Sequence, residues 1–462
     1  MKSNRFVKML LAAMIMVVGC QSAPFSSEVI LLELDSPSLS SSMKVTPPLV
    51  EVYLKLCKGI VDTKASKVTI DPVLNGVDTV MYLVNYPEGG WELLSADKRI
   101  PARLMFSKEK NVSLSELENH PGISIIMNDY KEKIGIVRHS DITSNVTGSS
   151  TLWENLSYIP PETKSNITWL QIGRELVSSE SVDIPHLIST HWDQSTYNMY
   201  LPYTTPQKTE RCVSGCTVVA AAQVVNYLQP LYNFSTDCLF LECRCNAFIP
   251  NGGGSTSYGD FIPNVSTVQT NANYWKYVRG QLGTPLQQKK AISVLMAILG
   301  YRLEASYKYL YDADDASYKR STSASMYKIP EVYETMYGMT CSVLEGSINN
   351  GVAVDQIMDG LPVIVQGYEQ NGAGHVWIID GYYLNKQVYD YHYQGFDTTN
   401  PSVPLYKTVR EIEEYEEYLL VNWGWGATFD SETYFVGTYT WSIEDYVFST
   451  RFGMLYDFVM VD

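Results

Sequence analysis

The chain has 462 residues, 45% hydrophobic and 18% charged, which excludes wholesale disorder and suits two or three domains with a large core. Its 34 Lys+Arg against 50 Asp+Glu give a net charge of −16, which argues against a nucleic-acid partner, since such a protein needs a basic face. Both halves are acidic: residues 21–185 carry 15 basic and 21 acidic side chains, a net of −6, and residues 186–462 carry 16 and 29, a net of −13.

Lys2, Arg5 and Lys8 precede the apolar run Met9 to Val18, which Gly19 and Cys20 follow. A basic start, a short apolar stretch and a small residue predict an export signal over residues 1–20. Ten apolar residues are too few to span a bilayer well, and no later run reaches about 18. Val17-Val18-Gly19-Cys20 resembles the lipobox of bacterial lipoproteins. That resemblance implies lipidation of Cys20 and an outer-membrane anchor as the chain's one membrane contact. An ordinary signal with a chance cysteine, and hence secretion, is the alternative. Residues 21–45, rich in Ser and Pro, predict a tether.

Over about 48–60, Leu49, Val52, Tyr53, Leu56 and Ile60 recur at helical spacing. Strands are predicted at 68–70, 79–84 and 91–95, with Pro87-Glu88-Gly89-Gly90 as the turn between the last two. One or two helices are predicted within 110–138. These make a first domain over 46–140. Residues 141–185, polar and with Gly148, Pro160 and Pro161, predict a linker that a protease can reach.

A second domain is predicted over 186–462. A helix runs from Cys216 to Gln229 and stops at Pro230, and another from Pro285 to Leu299 is closed by Gly300. Strands follow at 362–366, 375–379, 418–423 and 434–439, the first two joined by the Gly-rich loop 367–374. Helices followed by a run of strands predict an α+β fold. Residues 383–417 read as an insertion, and its acidic run Glu411 to Glu417 as a solvated face.

Seven cysteines remain besides Cys20, so at least one thiol is unpaired. One or two disulfides among Cys212, Cys238, Cys243, Cys245 and Cys341 are expected, with no pairing readable. No His lies near the Cys cluster in sequence, so neither a metal nor another cofactor is expected. Cys216, after Gly215, occupies the first turn of an Ala/Val-rich helix, where the helix dipole favours thiolate. A buried structural cysteine, or half a disulfide with Cys212, is the competing reading. His375 follows Gly374 at the head of an apolar strand, beside the Gly-rich loop. Asn422 and Trp423 open the run Asn-Trp-Gly-Trp-Gly. An Asn amide oxygen fixes an imidazole tautomer by accepting from one ring nitrogen, and an indole shields that bond from water.

Gly215-Cys216 with Ala222-Gln223, Gly374-His375 with Asp380-Gly381, and Asn422 to Gly426 together resemble the active-site motifs of the streptopain family of papain-like cysteine peptidases. Trp192-Asp193-Gln194 resembles the family segment whose Gln donates to the oxyanion hole. Tyr82 to Asn85, Gly90 to Asp97 and Pro101 to Ser107 resemble its propeptide. The resemblance implies a papain-like fold with an N-terminal α+β propeptide domain, made as an exported zymogen that hydrolyses protein or peptide substrates and is inhibited by its own propeptide. It implies Cys216 as nucleophile, His375 as base, Asn422 as its orienting group and Gln194 as oxyanion donor, with Gly215, Gly374 and Trp423 in support. A papain-fold cell-wall amidase and an inactive surface binding protein on a peptidase scaffold are the rivals. The sequence departs from the family pattern at Ser214 and Thr217, at Ala427 and in the long insertion.

Overall fold

A computed structural model describes residues 43–60, 62–140, 146, 152–158, 167–203, 210–232, 244–251, 254–261, 273–312, 317–368, 372, 374–397, 406–426, 434–437 and 451–461. The signal, Cys20, most of the tether, Cys238 and Cys243 lie outside these residues. Cys57, Cys212, Cys216 and Cys341 are free thiols.

The N-terminal subdomain is a four-stranded antiparallel meander flanked by helices. It comprises α1 (Pro47–Lys58), β1 (Thr69–Asn75), β2 (Asp78–Asn85), β3 (Trp91–Ser95), β4 (Arg103–Ser107), α2 (Leu114–Asn119), α3 (Pro121–His139) and α4 (Leu152–Ser157). Pro at the first turn and left-handed Gly59 past the last bound α1, where both residue types are favoured. Ser113 and Glu116 form a reciprocal cap on α2. The one or two helices expected within 110–138 are α2 and α3.

The C-terminal part supplies α5 (Cys216–Tyr232), α6 (Tyr274–Val278), α7 (Pro285–Arg302), α8 (Ile329–Tyr337) and α9 (Asn350–Met358). Its strands are β5 (Ile167–Ile184), β6 (Arg244–Asn251), β7 (Gly254–Phe261), β8 (Ser306–Asp312), β9 (Ser317–Ser323), β10 (Met339–Glu345), β11 (Val363–Tyr368), β12 (Gly374–Asp397), β13 (Tyr406–Asn422), β14 (Tyr434–Gly437) and β15 (Arg451–Met460). Strands β7-β6-β8-β9 form a small sheet. The large one runs β1-β2-β3-β4-β14-β13-β12-β11-β15-β10, with β5 added beside β12. The N-terminal meander therefore continues the C-terminal sheet, joined where Met105 and Phe106 pair with Val436 and Phe435.

Two helix ends differ from expectation. α5 runs through Pro230, which falls in its last turn. α7 runs through Gly300, because that glycine serves packing: a Cβ there would meet the Tyr307 hydroxyl at 2.1 Å. The linker expected over 141–185 holds α4 and the long strand β5. The Ser- and Glu-rich half of β5 shows no apolar alternation; its partner β12 satisfies its backbone, pairing Ile184 with Tyr382 through to Ile167 with Asp397. The insertion is the extension of β12 and β13 into one long hairpin, paired from Tyr382–Leu419 to Gly395–Tyr406. Its acidic run is only partly solvated, because Glu414 and Glu416 pair with Arg174 and Arg103.

α5, with buried Ala220, Ala221 and Ala222, shares one core with α7, which is buried from Ala291 to Gly300. Small side chains on α5 permit close approach, and each large one opposite adds about 2 kcal/mol by leaving water. A second core lies between the large sheet and α3 and holds Trp377, Trp423, Ile123 and Tyr130. It is shared by the N- and C-terminal parts.

Candidate active site

Gly215 has φ of +91°, the left-handed region open to glycine, and a Cβ there would meet the Thr322 methyl at 2.9 Å. This turn delivers Cys216 as the first residue of α5. Ser214 then donates twice to the carbonyl of Gln194, from its backbone N at 2.8 Å and its Oγ at 2.9 Å. The Asp193 carboxylate accepts from the backbone N–H groups of Ser195 and Thr196, both at 2.6 Å, and holds the turn that carries Gln194. The main chain of Gln194 is thereby tied to the residue two before Cys216.

Burial pushes the Cys216 thiol up, against the opposing hydrogen bonds of the Val376 and Thr217 N–H groups. The sequence predicts a lowered value from the helix dipole; here desolvation outweighs it. His375 pairs in register with Gly367, one residue before the N–H that meets the thiol. Cys216 and the head of β12 are thus neighbours. No hydrogen bond joins Cys216 to His375, however. The imidazole is buried, and its Nε2–H donates to the backbone carbonyl of Trp423 at 2.9 Å. Burial lowers His375 to about 4, the Trp423 contact working against it. Thiol and imidazole are consequently both neutral near pH 7.

Asn422 differs from expectation. Its Oδ1 accepts from Gln223 Nε2 at 3.2 Å and from the Gly424 N–H at 3.1 Å, and its Nδ2 donates to the Thr190 carbonyl at 3.0 Å. Its amide is spent on three segments of the scaffold, and the main chain of the next residue holds the imidazole. Trp423 is fully buried, but the Asn422–His375 bond that it is expected to shield is absent; its ring lies against those of His120 and Trp377. Gly374 is required by packing, since a Cβ would meet the Tyr368 ring at 2.4 Å.

The N-terminal subdomain covers this centre with the start of α3. His120 caps α3, its Nδ1 accepting from the Ile123 N–H at 3.2 Å, and its ring lies 5.2 Å from that of Trp423 and 5.1 Å from that of Trp425. Burial, with the neighbouring His375, lowers His120 to about 3. Gly122 rests on the site so closely that a Cβ would meet the Trp423 ring at 2.2 Å and His375 Cδ2 at 3.0 Å.

The profile of the peptidase C10 family matches residues 192–435, which contain Gln194, Cys216, His375, Asn422 and Trp423. The chain belongs to the peptidase C10 family. Streptopain of Streptococcus pyogenes serotype M1 is 24% identical over 345 residues, covering 69% of this chain and 72% of that one. Streptopain of serotype M3 (strain SSI-1) is 23% identical over 343 residues, covering the same shares, 69% and 72%. A solved fragment of prointerpain A from Prevotella intermedia aligns over 84% of this chain and 98% of its own, with 17% identity and a TM-score of 0.48. The α+β architecture of this C10 family member is the papain-like one. Its family is one of cysteine-type peptidases.

Sequence reasoning about this C10 chain gave no role to four groups, although Gln223 stood in the motif around Cys216. Gln223 is the fully buried hub of the site: its Oε1 accepts from Thr190 Oγ1 at 2.9 Å and from the Trp192 N–H at 3.2 Å, and its Nε2 reaches Asn422. A signal existed, because Gln223 lies seven residues, two turns, after Cys216 and on the same helix face. Ser214 showed in the sequence only as a departure from the family motif. His120 and Gly122 carried no signal, because nothing local says that a first-turn His-Pro-Gly will meet a tryptophan some 300 residues away.

Proposed function

We propose that the chain is an exported cysteine endopeptidase, made as a zymogen and held latent by residues 43–158, its pro-domain. The observation that carries this reading is the meeting of Cys216, at a helix N-terminus, with the His375–Val376 peptide at the head of β12, while Ser214 ties Gln194 alongside. Cys216, His375 and Gln194 come from three separate segments, which supports roles as nucleophile, base and oxyanion donor in acyl transfer.

In the active form the Cys216 thiolate attacks the peptide carbonyl carbon and forms a tetrahedral oxyanion. The Gln194 side chain and the Cys216 N–H stabilise that charge, typically worth ~10²–10³ in rate per donor. His375, oriented by the Trp423 carbonyl, passes the thiol proton to the leaving amine, and water then hydrolyses the thioester with His375 as base. Asn422 and Gln223 hold the three segments in register. A thiolate–imidazolium pair needs a lowered thiol and a raised imidazole. Both shifts run the other way while α3 covers the site, which supports the zymogen reading. Export rests on the residue 1–20 signal, and lipidation of Cys20 would anchor the enzyme to the outer membrane.

The test is hydrolysis of a quenched fluorescent peptide after limited proteolysis of the full chain, with and without a thiol-reactive epoxide. Epoxide-sensitive cleavage with Cys216 alkylated is expected. Cleavage that persists in Cys216→Ala, or none after complete removal of the pro-domain, would overturn the reading.

A further inference from the structure

The long hairpin of β12 and β13, widened by β5, forms a three-stranded arm that carries a second contact with the N-terminal subdomain. Along β12, Tyr391 lies 16 residues beyond His375, on the order of 50 Å of strand, so this contact is far from the reacting groups. There Tyr391, Tyr393 and Ile412 are buried in one core with Tyr53, Leu54, Tyr82, Leu94 and Trp153 of the subdomain.

Charges lock the same seam. Arg103 of β4 pairs with Glu416 of β13 and with Glu92 of β3, and its Nε donates to the Tyr418 hydroxyl at 3.0 Å. Burial alone would raise Glu92, but Lys58 and Arg103 hold it at about 2. Arg174 of β5 pairs with Glu414 at 2.7 Å, stacks over Tyr389 at 4.0 Å and donates to the Leu56 carbonyl of α1 at 3.4 Å. The insertion thus supplies Glu416 to the half-buried Arg103 of the subdomain, while Arg174 of β5, paired within the arm, reaches the subdomain through the Leu56 carbonyl.

We propose that this arm is a second docking surface for the pro-domain, one that retains the pro-domain after the chain is cut between α4 and β5. The inference rests on the zymogen reading above. β5 stays with the mature enzyme, held by its ladder to β12, while the severed pro-domain remains bound through α1, β3, β4 and α4. Cleavage and activation are then separate steps, and dissociation at the arm governs the second.

The experiment uses the full chain with a recognition sequence for a site-specific protease inserted between Ser157 and Ile167, and an affinity tag at the C-terminus. After complete nicking, retention of the N-terminal fragment on the resin and peptide hydrolysis are followed together. The nicked parent is expected to keep its fragment and stay latent. Glu416→Gln, and Tyr391→Ala with Tyr393→Ala, are expected to lose the fragment at least tenfold faster, with hydrolysis rising in step. Val409→Ser, on an exposed stretch of the arm, is expected to behave as the parent. If the paired Tyr variant fails to fold before nicking, Glu416→Gln decides alone. Equal retention in parent and arm variants, or immediate loss from the parent, would overturn the proposal. A released C-terminal piece that hydrolyses nothing would instead sink the peptidase reading, while fragment retention still decides the role of the arm.

Discussion

Each site residue carries its own expected outcome. Cys216→Ala removes one sulfur from a helix start and is expected to abolish hydrolysis with an unchanged circular dichroism spectrum; Cys212→Ala, at a buried free thiol, is expected to keep most of it. Asn422→Ala leaves Gln223 and the Gly424 N–H without an acceptor, a cost of about 1–3 kcal/mol seen as a lower melting temperature. Its rate is expected to fall less than that of His375→Ala, since the Trp423 carbonyl still orients the ring; equal losses in two folded variants would contradict this. The His120 imidazole at the covered site sets the pH response, because released His375 shares its proton with Cys216 in the ion pair. Docked, burial and the neighbouring His375 hold His120 at about 3, whereas a released imidazole returns to about 6.5. Well above that value His120 takes a proton in neither state. As pH falls from 6.5 towards 4, released His120 binds a proton that the docked one refuses, so docking weakens by up to about tenfold per unit. Fragment release from the nicked chain, followed from pH 7.5 to 4.5, is expected to accelerate only below about 6.5. A profile flat across that range would count against the assignment.

Among the elements, α3 makes the sharpest demand. Replacing glycine inside a helix normally favours the helix by about 0.5–1 kcal/mol, so Gly122→Leu isolates the clash with Trp423 and His375. The uncut Gly122→Leu chain is expected to hydrolyse peptide several-fold faster than the parent, and an unchanged latency would show that α3 does not need that close approach. The elements with a strong local period were legible in the sequence: α1, β2, β3, α5 and β12 as far as Ile379 announced themselves by spacing and bounding glycines or prolines. What was not legible had a distant cause. β5 looks like a polar linker because its order comes from β12. Gly300 looks like a helix stop, yet it is there for Tyr307. At the site, Cys216, His375 and Gln194 came from recognisable motifs, whereas the hydrogen bond to His375 runs through a main-chain carbonyl, which no side-chain pattern encodes.

For the whole molecule, charge and packing divide the work. With nets of −6 and −13 the two halves repel at long range, which predicts docking by apolar packing alone and names Trp91, Leu93, Leu94, Leu104 and Phe106 as contacts or core. Trp91, Leu93 and Leu104 are buried in the core that both parts share, Leu94 joins the cluster at the arm, and Phe106 packs on Tyr418 and Leu420. The part that sequence charge counts miss is the partly buried pairing of Arg103 with Glu416, which salt screens less than an exposed pair. Fragment retention is therefore expected to hold or rise between about 0.05 and 1 M salt, and a steep loss would mean that exposed charges hold the halves together.

The seam between β4 and β14 has a consequence of its own. When the N-terminal meander leaves, the outer peptide groups of β14 lose their partners and the large sheet acquires a raw margin, the kind of edge on which chains recruit one another into aggregates. β14 spans only four residues, too few to template a stable foreign strand. The short join gives up little when it parts, and it leaves the liberated enzyme with a margin too brief to make it sticky.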